Sequence, residues 1–263
     1  MDGGVVTILT DFGVDDPYVG IMKGVMLNIN PTIRLIDLTH HIPPQNVRAG
    51  AFIMAAAYSF FPEKTVHLAI VDPGVGTERR LIAARSKKYF FVGPDNGIFS
   101  LVWNHEKPEE IVSLDNPEYW LENISSTFHG RDIMAPVAAY ISKGVELSKF
   151  GESYAPVGKL PWSPVIIEHG KIRGEIIYID RFGNLVTSIR VQDIPEDNFP
   201  DKVVIRIGKW IIRGISRTYG DASPGSLIAL IGSYGYLEIA VTGGSAQEKT
   251  GLSWDEPVEV SLL

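Results

Sequence analysis

An aspartate, an arginine and a histidine in the first half of the chain are the residues best suited to acid–base chemistry. Asp72 follows the apolar run 66–71, and Arg79 returns seven residues later across a loop that contains two glycines. Such a guanidinium can form a paired site that keeps the carboxylate ionised and oriented, although a Pro-Gly turn with solvated charges fits the same residues. His129 lies directly before a segment of helical period, where it can share a proton, position water or serve a structural role.

Three more carboxylates follow the first apolar run, at Asp11, Asp15 and Asp16. The segment 9–16 is close to the calcium-binding signature of nucleoside hydrolases, but Leu9 stands where that signature has its first aspartate. A hard cation needs about six to eight oxygen ligands, so the loss of one charged ligand weakens the calcium interpretation. We expect Asp11 instead to accept two hydroxyl protons from a ribose, and Asp16 to cap the following helix.

The segment Asp180-Arg181-Phe182-Gly183-Asn184 supplies a further group of polar and aromatic side chains in the second half of the chain. If this segment is a plain hairpin turn, only its glycine has a required role. As a binding turn, it offers Asp180 to hold an amine, Phe182 to stack on a purine and Asn184 to hydrogen-bond the edge of that purine. Both interpretations are compatible with this segment taken alone.

Three other motifs fail as phosphate or metal sites. The glycines at 74–76 lack the third glycine and the helix that a dinucleotide-binding loop needs, because a strand is predicted to follow. The segment 243–250 resembles a phosphate-binding loop, but Glu248 occupies a glycine position and its carboxylate would repel the anion. His40 and His41 are neighbours on an extended chain, so their side chains point to opposite faces and we expect structural or hydrogen-bonding roles.

The composition excludes several classes of function. The 263 residues include 24 basic and 31 acidic side chains, a formal charge of −7, and a surface of that sign repels the phosphates of nucleic acid. The absence of cysteine excludes disulfides, thiolate metal sites and cysteine nucleophiles. The first ten residues have no basic region and only a short apolar run, so we expect no signal peptide, no membrane partner and a cytoplasmic location.

Short apolar runs alternate with segments of helical period through the first half of the chain. They predict strands at 5–10, 33–38, 66–71, 81–84 and 89–92 and helices at 18–29, 49–58 and 133–141. This order predicts an N-terminal α/β catalytic domain over 1–160, with a largely parallel sheet covered by helices on both faces and ligands at the carboxyl ends of its strands. Short strands without a helix then predict a small C-terminal antiparallel β-barrel domain over 161–263 that contributes to the ligand site.

Four segments occur in order along nearly the whole chain: Thr10-Asp11-Phe12-Gly13, Val71-Asp72-Pro73-Gly74-Val75-Gly76, Phe128-His129-Gly130-Arg131-Asp132 and Asp180-Arg181-Phe182-Gly183-Asn184. Together they resemble the S-adenosyl-L-methionine (SAM) hydroxide adenosyltransferases, which are related to the fluorinating and chlorinating enzymes. The resemblance implies hydrolysis of SAM to adenosine and L-methionine without a metal or other cofactor. It also implies a homotrimer whose ligand lies between the N-terminal domain of one subunit and the C-terminal domain of its neighbour.

The resemblance further implies roles for individual residues. Asp72, Arg79 and His129 match the trio that activates water, and Asp11 matches the carboxylate that binds the ribose. The other matches surround the two ends of the substrate: Asn184 at the adenine edge, Phe182 and Tyr219 beside the adenine ring, and Asp180, Ser233 and Glu238 at polar positions around the methionine and adenine ends.

Departures from the halogenating branch favour water over a halide as the nucleophile. Asp72 stands where that branch has a tyrosine, Val75 where it has a threonine, and Gly130 where the fluorinating enzymes have a serine. A fixed carboxylate beside the reacting carbon repels a halide but can orient or deprotonate water. Two alternative hypotheses remain: a calcium-dependent nucleoside hydrolase, and a non-catalytic protein that binds adenosine or SAM.

Overall fold

A mixed sheet of six strands organises the first of two units, Met1–Leu160. In the computed structural model, which describes residues 4–156, 158–160 and 163–263, its strands are β1 (Val5–Thr10), β2 (Arg34–Thr39), β3 (Val66–Ile70), β4 (Leu81–Ser86), β5 (Phe90–Pro94) and β6 (Pro108–Ser113). Their order is β2-β1-β3-β5-β4-β6. The first four strands in that order are parallel, whereas β4 pairs antiparallel with both β5 and β6. The expectation of a largely parallel sheet is confirmed.

Helices cover both faces of this sheet. They are α1 (Tyr18–Ile29), α2 (Val47–Ala57) and α3 (Ala135–Ser142). Met22 of α1 and Val137 of α3 share one buried core with Ile8 of β1. On the opposite face, Gly50 of α2 packs so closely that an added Cβ would lie 3.1 Å from the Val71 side chain. The apolar faces of the helices therefore bury both surfaces of the strands, as parallel sheets require.

Two local features of this unit differ from the sequence-based expectations. Pro17 occupies the N-cap position of α1 and no side chain caps that helix, so the prediction that Asp16 caps it was wrong. Asp16 stands one residue too early, because capping depends on the side chain at the N-cap position itself. The strand β6 was not predicted, because its first residues, Pro108, Glu109 and Glu110, interrupt any apolar alternation.

A curved antiparallel sheet forms the second unit, Pro161–Leu263. Its strands are β7 (Ile166–Glu168), β8 (Lys171–Ile179), β9 (Leu185–Arg190), β10 (Val203–Ile207), β11 (Trp210–Arg213), β12 (Leu227–Ile231), β13 (Tyr236–Val241) and β14 (Pro257–Leu262). The order is β11-β10-β14-β8-β9-β13-β12, with β7 beside β8. The two ends approach each other where the Ser216 N–H, just after β11, donates to the Ala229 carbonyl at 2.7 Å. Alternate apolar side chains such as Ile172, Ile205 and Ile239 fill the interior of this nearly closed barrel, which confirms the predicted architecture.

One short helix in the barrel unit contradicts the expectation that this half contains none. It is α4 (Ala246–Thr250), and the Ser245 side chain caps it by accepting from the Glu248 N–H. The residues that resembled a phosphate-binding loop thus form a self-capped turn. Across the described residues, no helix combines the length and apolarity needed to cross a bilayer.

Candidate active site

Asp72 and Arg79 form a bidentate ion pair just beyond the carboxyl end of β3. The Arg79 Nε lies 2.8 and 3.0 Å from the two Asp72 oxygens, and its Nη2 donates to Asp72 Oδ2 at 2.5 Å. The two side chains are only 12% and 6% exposed, for Arg79 and Asp72 respectively. Because a bidentate contact fixes both distance and direction, the carboxylate is held in one orientation. The pair anticipated from the spacing of these residues is formed.

Two glycines allow the loop between Asp72 and Arg79 to fold tightly. A Cβ on Gly74 would lie 3.1 Å from the Arg79 Cδ, so the absence of a side chain lets the arginine cross the turn. Gly76 has a φ of +78°, and a Cβ there would lie 2.4 Å from the Ser126 carbonyl oxygen. These glycines serve close approach of protein to protein rather than recognition of a dinucleotide.

His129 contacts the pair from the other side of the arginine. The Arg79 Nη2 lies 3.1 Å from the His129 Nδ1. A guanidinium only donates, so we assign Nδ1 as the acceptor and place the ring proton on Nε2. Burial, followed by the charge of Arg79, lowers the pKa of His129 and keeps the ring neutral. Because the Nδ1 lone pair accepts from Arg79, this nitrogen cannot take up a proton from another group. It instead orients the Arg79 guanidinium.

A π-helical turn, Gly130–Met134, carries His129 at its N-terminal end and leads into α3. Within this turn, the fully buried Asp132 accepts from the Arg131 Nε at 2.5 Å and from the Ser125 N–H at 2.7 Å. Asp132 thus ties the preceding loop to the turn that presents the histidine. Sequence reasoning gave Asp132 no role, although a carboxylate inside an apolar segment was a usable signal.

Three aromatic rings connect the first strand end to the His129 turn. Phe12, Tyr18 and Phe128 pack edge to face, with centroids 5.9, 5.8 and 5.3 Å apart for the pairs 12–18, 12–128 and 18–128. Edge-to-face pairs of this kind add to the stability gained from burial alone. This aromatic triangle links the neighbour of Asp11 to the neighbour of His129.

Asp11 lies at the same edge of the sheet as Asp72. Its Oδ2 accepts from the Gln45 N–H at 2.7 Å. Burial raises the pKa of Asp11, backbone N–H groups oppose the rise, and the charge of Asp72 adds to it. Because Thr10 pairs with Ile70 in the parallel register of β1 and β3, two of the predicted site carboxylates follow adjacent strand ends.

Asn96 braces the peptide that precedes Asp72. Its amide Nδ2 donates to the Val71 carbonyl at 2.8 Å, while its Oδ1 accepts from the Ile98 N–H at 3.2 Å. Asn96 belongs to the turn after β5, so a neighbouring parallel strand end fixes the position of the site carboxylate. We did not single out this residue from the sequence, where its only signal was a turn-forming Asp-Asn-Gly triplet.

In the barrel unit, Asp180 organises the turn that carries two of the predicted binding residues. Its Oδ1 accepts from the N–H groups of Phe182 and Asn184, at 2.8 and 2.9 Å, and its Oδ2 accepts from the Asn184 side-chain amide at 2.9 Å. Phe182 is left 76% exposed, whereas Asn184 is only 6% exposed. The turn therefore presents an aromatic face to its surroundings while the amide is held against Asp180.

Tyr219 and Glu238 form a second polar group in this unit. The Tyr219 hydroxyl donates to the Glu238 Oε1 at 2.7 Å. Burial raises the pKa of Glu238. Glu238 pairs with Val186 near the start of β9, just after the Asp180 turn, so the two carboxylates lie near each other. Ser233 is exposed in the turn that joins β12 to β13. The structure thus gathers Asp180, Asn184, Tyr219 and Glu238.

The residues considered as metal ligands do not assemble in this way. Asp15 and Asp16 are exposed, and the His40 ring is hydrogen-bonded within the fold as expected. Within the described part of the chain, no group of three histidine, aspartate or glutamate side chains is arranged to hold a metal ion.

Comparison with known proteins assigns the family. Residues 6–151 match the N-terminal domain model of the SAM hydroxide adenosyltransferases, and residues 174–259 match the C-terminal domain model. The chain belongs to this family. Its membership agrees with the resemblance carried by the four ordered segments.

Individual relatives of this chain are similar along nearly their whole length. The (R)-S-adenosyl-L-methionine hydrolase of Thermus thermophilus is 37% identical over 97% of this chain and 98% of the relative. A fluorinase of Nocardia brasiliensis is 26% identical over 98% of this chain and 97% of the relative. The crystal structure of an uncharacterized conserved protein from Thermotoga maritima superimposes with a TM-score of 0.90, at 35% identity over 97% of this chain and 99% of that chain.

Proposed function

We propose that this protein hydrolyses SAM to adenosine and L-methionine by attack of water on the ribose C5′. The observation that carries the proposal is the largely buried Asp72–Arg79 ion pair with His129 beside it, a fixed carboxylate at the carboxyl edge of a parallel sheet. The greater similarity of the chain to SAM hydrolases than to a fluorinase supports the same nucleophile. A fixed negative charge in a poorly solvated site favours water over a halide ion.

The reaction balances without a cofactor. Water oxygen bonds to C5′ while the C5′–S bond breaks, so the sulfonium leaves as the neutral thioether of methionine and one proton is released. Asp72 orients the water and accepts its developing proton, Arg79 fixes Asp72, and His129 orients Arg79. After the products leave, Asp72 releases that proton to solvent.

Substrate binding in this proposal uses the first unit of one subunit and the second unit of its neighbour. Asp11 accepts hydrogen bonds from the ribose hydroxyls, a role supported by its position at the strand end next to that of Asp72. The remaining contacts are those of the exposed turn and its polar neighbours: Phe182 and Tyr219 on the adenine ring, Asn184 on its edge, and Asp180, Ser233 and Glu238 around the polar ends of the substrate.

The assembly we propose is a homotrimer with the ligand between subunits. The expected result is a mass three times the 29.0 kDa of the chain in light scattering coupled to size-exclusion chromatography. A monomer that hydrolyses SAM at full rate would contradict the shared site. The expected compartment is the cytoplasm, which fractionation of cells tests.

The decisive experiment identifies the carbon atom that water attacks. Purified protein, treated with excess EDTA and dialysed, is incubated with SAM in ¹⁸O-water, and the nucleoside is analysed by mass spectrometry. We expect adenosine that carries ¹⁸O on its 5′ oxygen. Free adenine would instead indicate a nucleoside hydrolase, loss of turnover with EDTA would indicate a metal enzyme, and the absence of any product would indicate a binding protein.

A further inference from the structure

Two buried threonine–histidine pairs lie on β1, and the proposed mechanism uses neither. Thr10 Oγ1 is 2.9 Å from the His40 Nδ1, and Thr7 Oγ1 is 2.8 Å from the His67 Nδ1. Both threonines are fully buried, and both histidines are at most 5% exposed. Only the first pair lies at the strand end that carries Asp11.

The hydrogen bonds around Thr10 have one consistent direction. The Phe12 N–H donates to Thr10 Oγ1 at 3.2 Å, which leaves the hydroxyl proton to donate to the His40 Nδ1. The His40 Nε2 then carries the ring proton and faces the Asp37 Oδ1 at 3.1 Å. Asp37 is held in turn by the Lys23 Nζ at 2.6 Å. The His40 ring is therefore fixed between the strand end and the surface ion pair of Lys23 and Asp37.

Backbone groups of the segment from His40 to Gln45 also hydrogen-bond the loop that carries Asp11. The Gly13 N–H donates to the His40 carbonyl at 2.7 Å, with Gly13 in the left-handed conformation at a φ of +68°. The Gln45 N–H donates to Asp11 Oδ2 at 2.7 Å, and Gln45 itself has a φ of +62°. Hydrogen bonds therefore hold Thr10 before Asp11 and Gly13 after it, and the Asp11 carboxylate itself accepts from the Gln45 N–H.

We infer that Thr10 and His40 are positioning residues that aim the Asp11 carboxylate at the ribose hydroxyls. The inference rests on the ribose-binding role proposed for Asp11. A carboxylate that binds two hydroxyls must hold both of its oxygens in place, and errors of about 1 Å in such positions can reduce rates about 100-fold. Loss of the Thr10 hydroxyl frees the Phe12 N–H and the His40 ring together, so it loosens both sides of Asp11.

The test compares two ligands that differ only in the hydroxyls Asp11 would bind. Adenosine and 2′,3′-dideoxyadenosine are titrated calorimetrically into the full-length protein, its Thr10→Val variant and its Thr7→Val variant. Valine matches the shape of threonine and removes only the hydroxyl. We expect Thr10→Val to weaken adenosine binding about tenfold, the value of one ordinary hydrogen bond, while dideoxyadenosine binding stays unchanged. Thr10→Ser, which keeps the hydroxyl, should restore the preference.

Thr7→Val is the matched control, because it removes the same buried bond three residues earlier on the same strand. It should lower stability without changing the ratio of the two affinities. If Thr10→Val does not fold, His40→Leu removes the same contact and should give the same change in ratio.

Three outcomes overturn the inference. They are an unchanged ratio in a folded Thr10 or His40 variant, an equal change of ratio in Thr7→Val, and a wild-type protein that binds both ligands equally. Wild type that prefers adenosine but does not convert SAM refutes the hydrolase proposal and leaves this inference standing.

Discussion

At the scale of single residues, the site works by fixing a charge in space. Both oxygens of Asp72 contact Arg79, and the arginine in turn contacts His129. The carboxylate is therefore unable to rotate, and it presents its negative charge in one fixed direction. Because a sulfonium already favours departure as a neutral thioether, placing one water in line with C5′ supplies much of what the reaction needs.

Replacement of Asp72 by asparagine tests this contribution. The amide keeps the shape of the side chain but removes its charge, so we expect kcat to fall about 100-fold or more, the usual contribution of a positioned acid–base group. Adenosine affinity, measured by calorimetry, should change little because the nucleoside does not depend on this charge for binding. Unaltered turnover in Asp72→Asn would remove Asp72 from the mechanism.

Asp115→Asn is the control for that experiment. Asp115 also pairs with an arginine, Arg80, but at 3.9 Å and with both side chains about half exposed. Exposed pairs of this kind contribute about 0–1 kcal/mol, so this variant should fold and turn over like wild type.

At the scale of elements, the site depends on how closely two loops approach. The loop after β3 supplies Asp72 and Arg79, and the segment before α3 supplies His129. Gly76 lies against the Ser126 carbonyl at the point where these two segments meet. The contact brings residues fifty positions apart in the chain, such as Arg79 and His129, to one place.

Replacement of Gly76 by alanine should separate the two loops. Its Cβ would lie 2.4 Å from the Ser126 oxygen, so one segment must move, and we expect kcat to fall by about tenfold or more because small displacements of catalytic groups are costly. Gly144→Ala is the control: Gly144 also has a positive φ, +91°, but its Cβ would meet nothing within 4 Å. That variant should lose only about 1–2 kcal/mol of stability, the cost of a side chain at positive φ, and keep full turnover. Equal kcat values for the two variants would show that the loop contact is unimportant.

The sequence predicted the structure correctly where a local pattern of residues is compatible with few conformations or contacts. The pattern of apolar residues predicted β1 and α1 to the residue, and the seven-residue spacing indicated the Asp72–Arg79 pair. It was uninformative where a role depends on a partner distant in the chain. Asn96 and Asp132 act through the Val71 carbonyl and the Ser125 N–H, and nothing in their local sequence names those partners. β6 was missed for a similar reason, because it forms by pairing with β4 and not by its own apolar pattern.

At the scale of the whole molecule, a buried titratable group links stability to pH. His67 of β3 is fully buried within an aromatic cluster that includes Tyr58, Tyr89 and Phe91. Burial lowers the pKa of His67 to about 3. The folded state therefore keeps this ring neutral at pH values where the unfolded chain binds a proton.

The sign of the pH effect follows from that difference. An unfolded histidine protonates below its ordinary pKa of about 6.5, so the contribution of His67 to stability is full at neutral pH and is lost as the pH falls toward 3. Between pH 7 and pH 5 we expect a loss of about 2 kcal/mol from this residue. Urea unfolding at fixed protein concentration measures it, with His67→Phe as the variant that lacks the titration. Parallel pH curves for the two proteins would contradict the assignment.

The aromatic triangle of Phe12, Tyr18 and Phe128 constrains how such an enzyme can change over time. The same three rings support the loop that would select the sugar and the turn that would govern the nucleophile. A substitution that reshapes one partner of the triangle disturbs both, so substrate preference and reaction chemistry cannot drift independently. Directed evolution toward a new nucleoside should therefore tolerate changes in the barrel turn at Phe182 more readily than changes at Phe12 or Phe128.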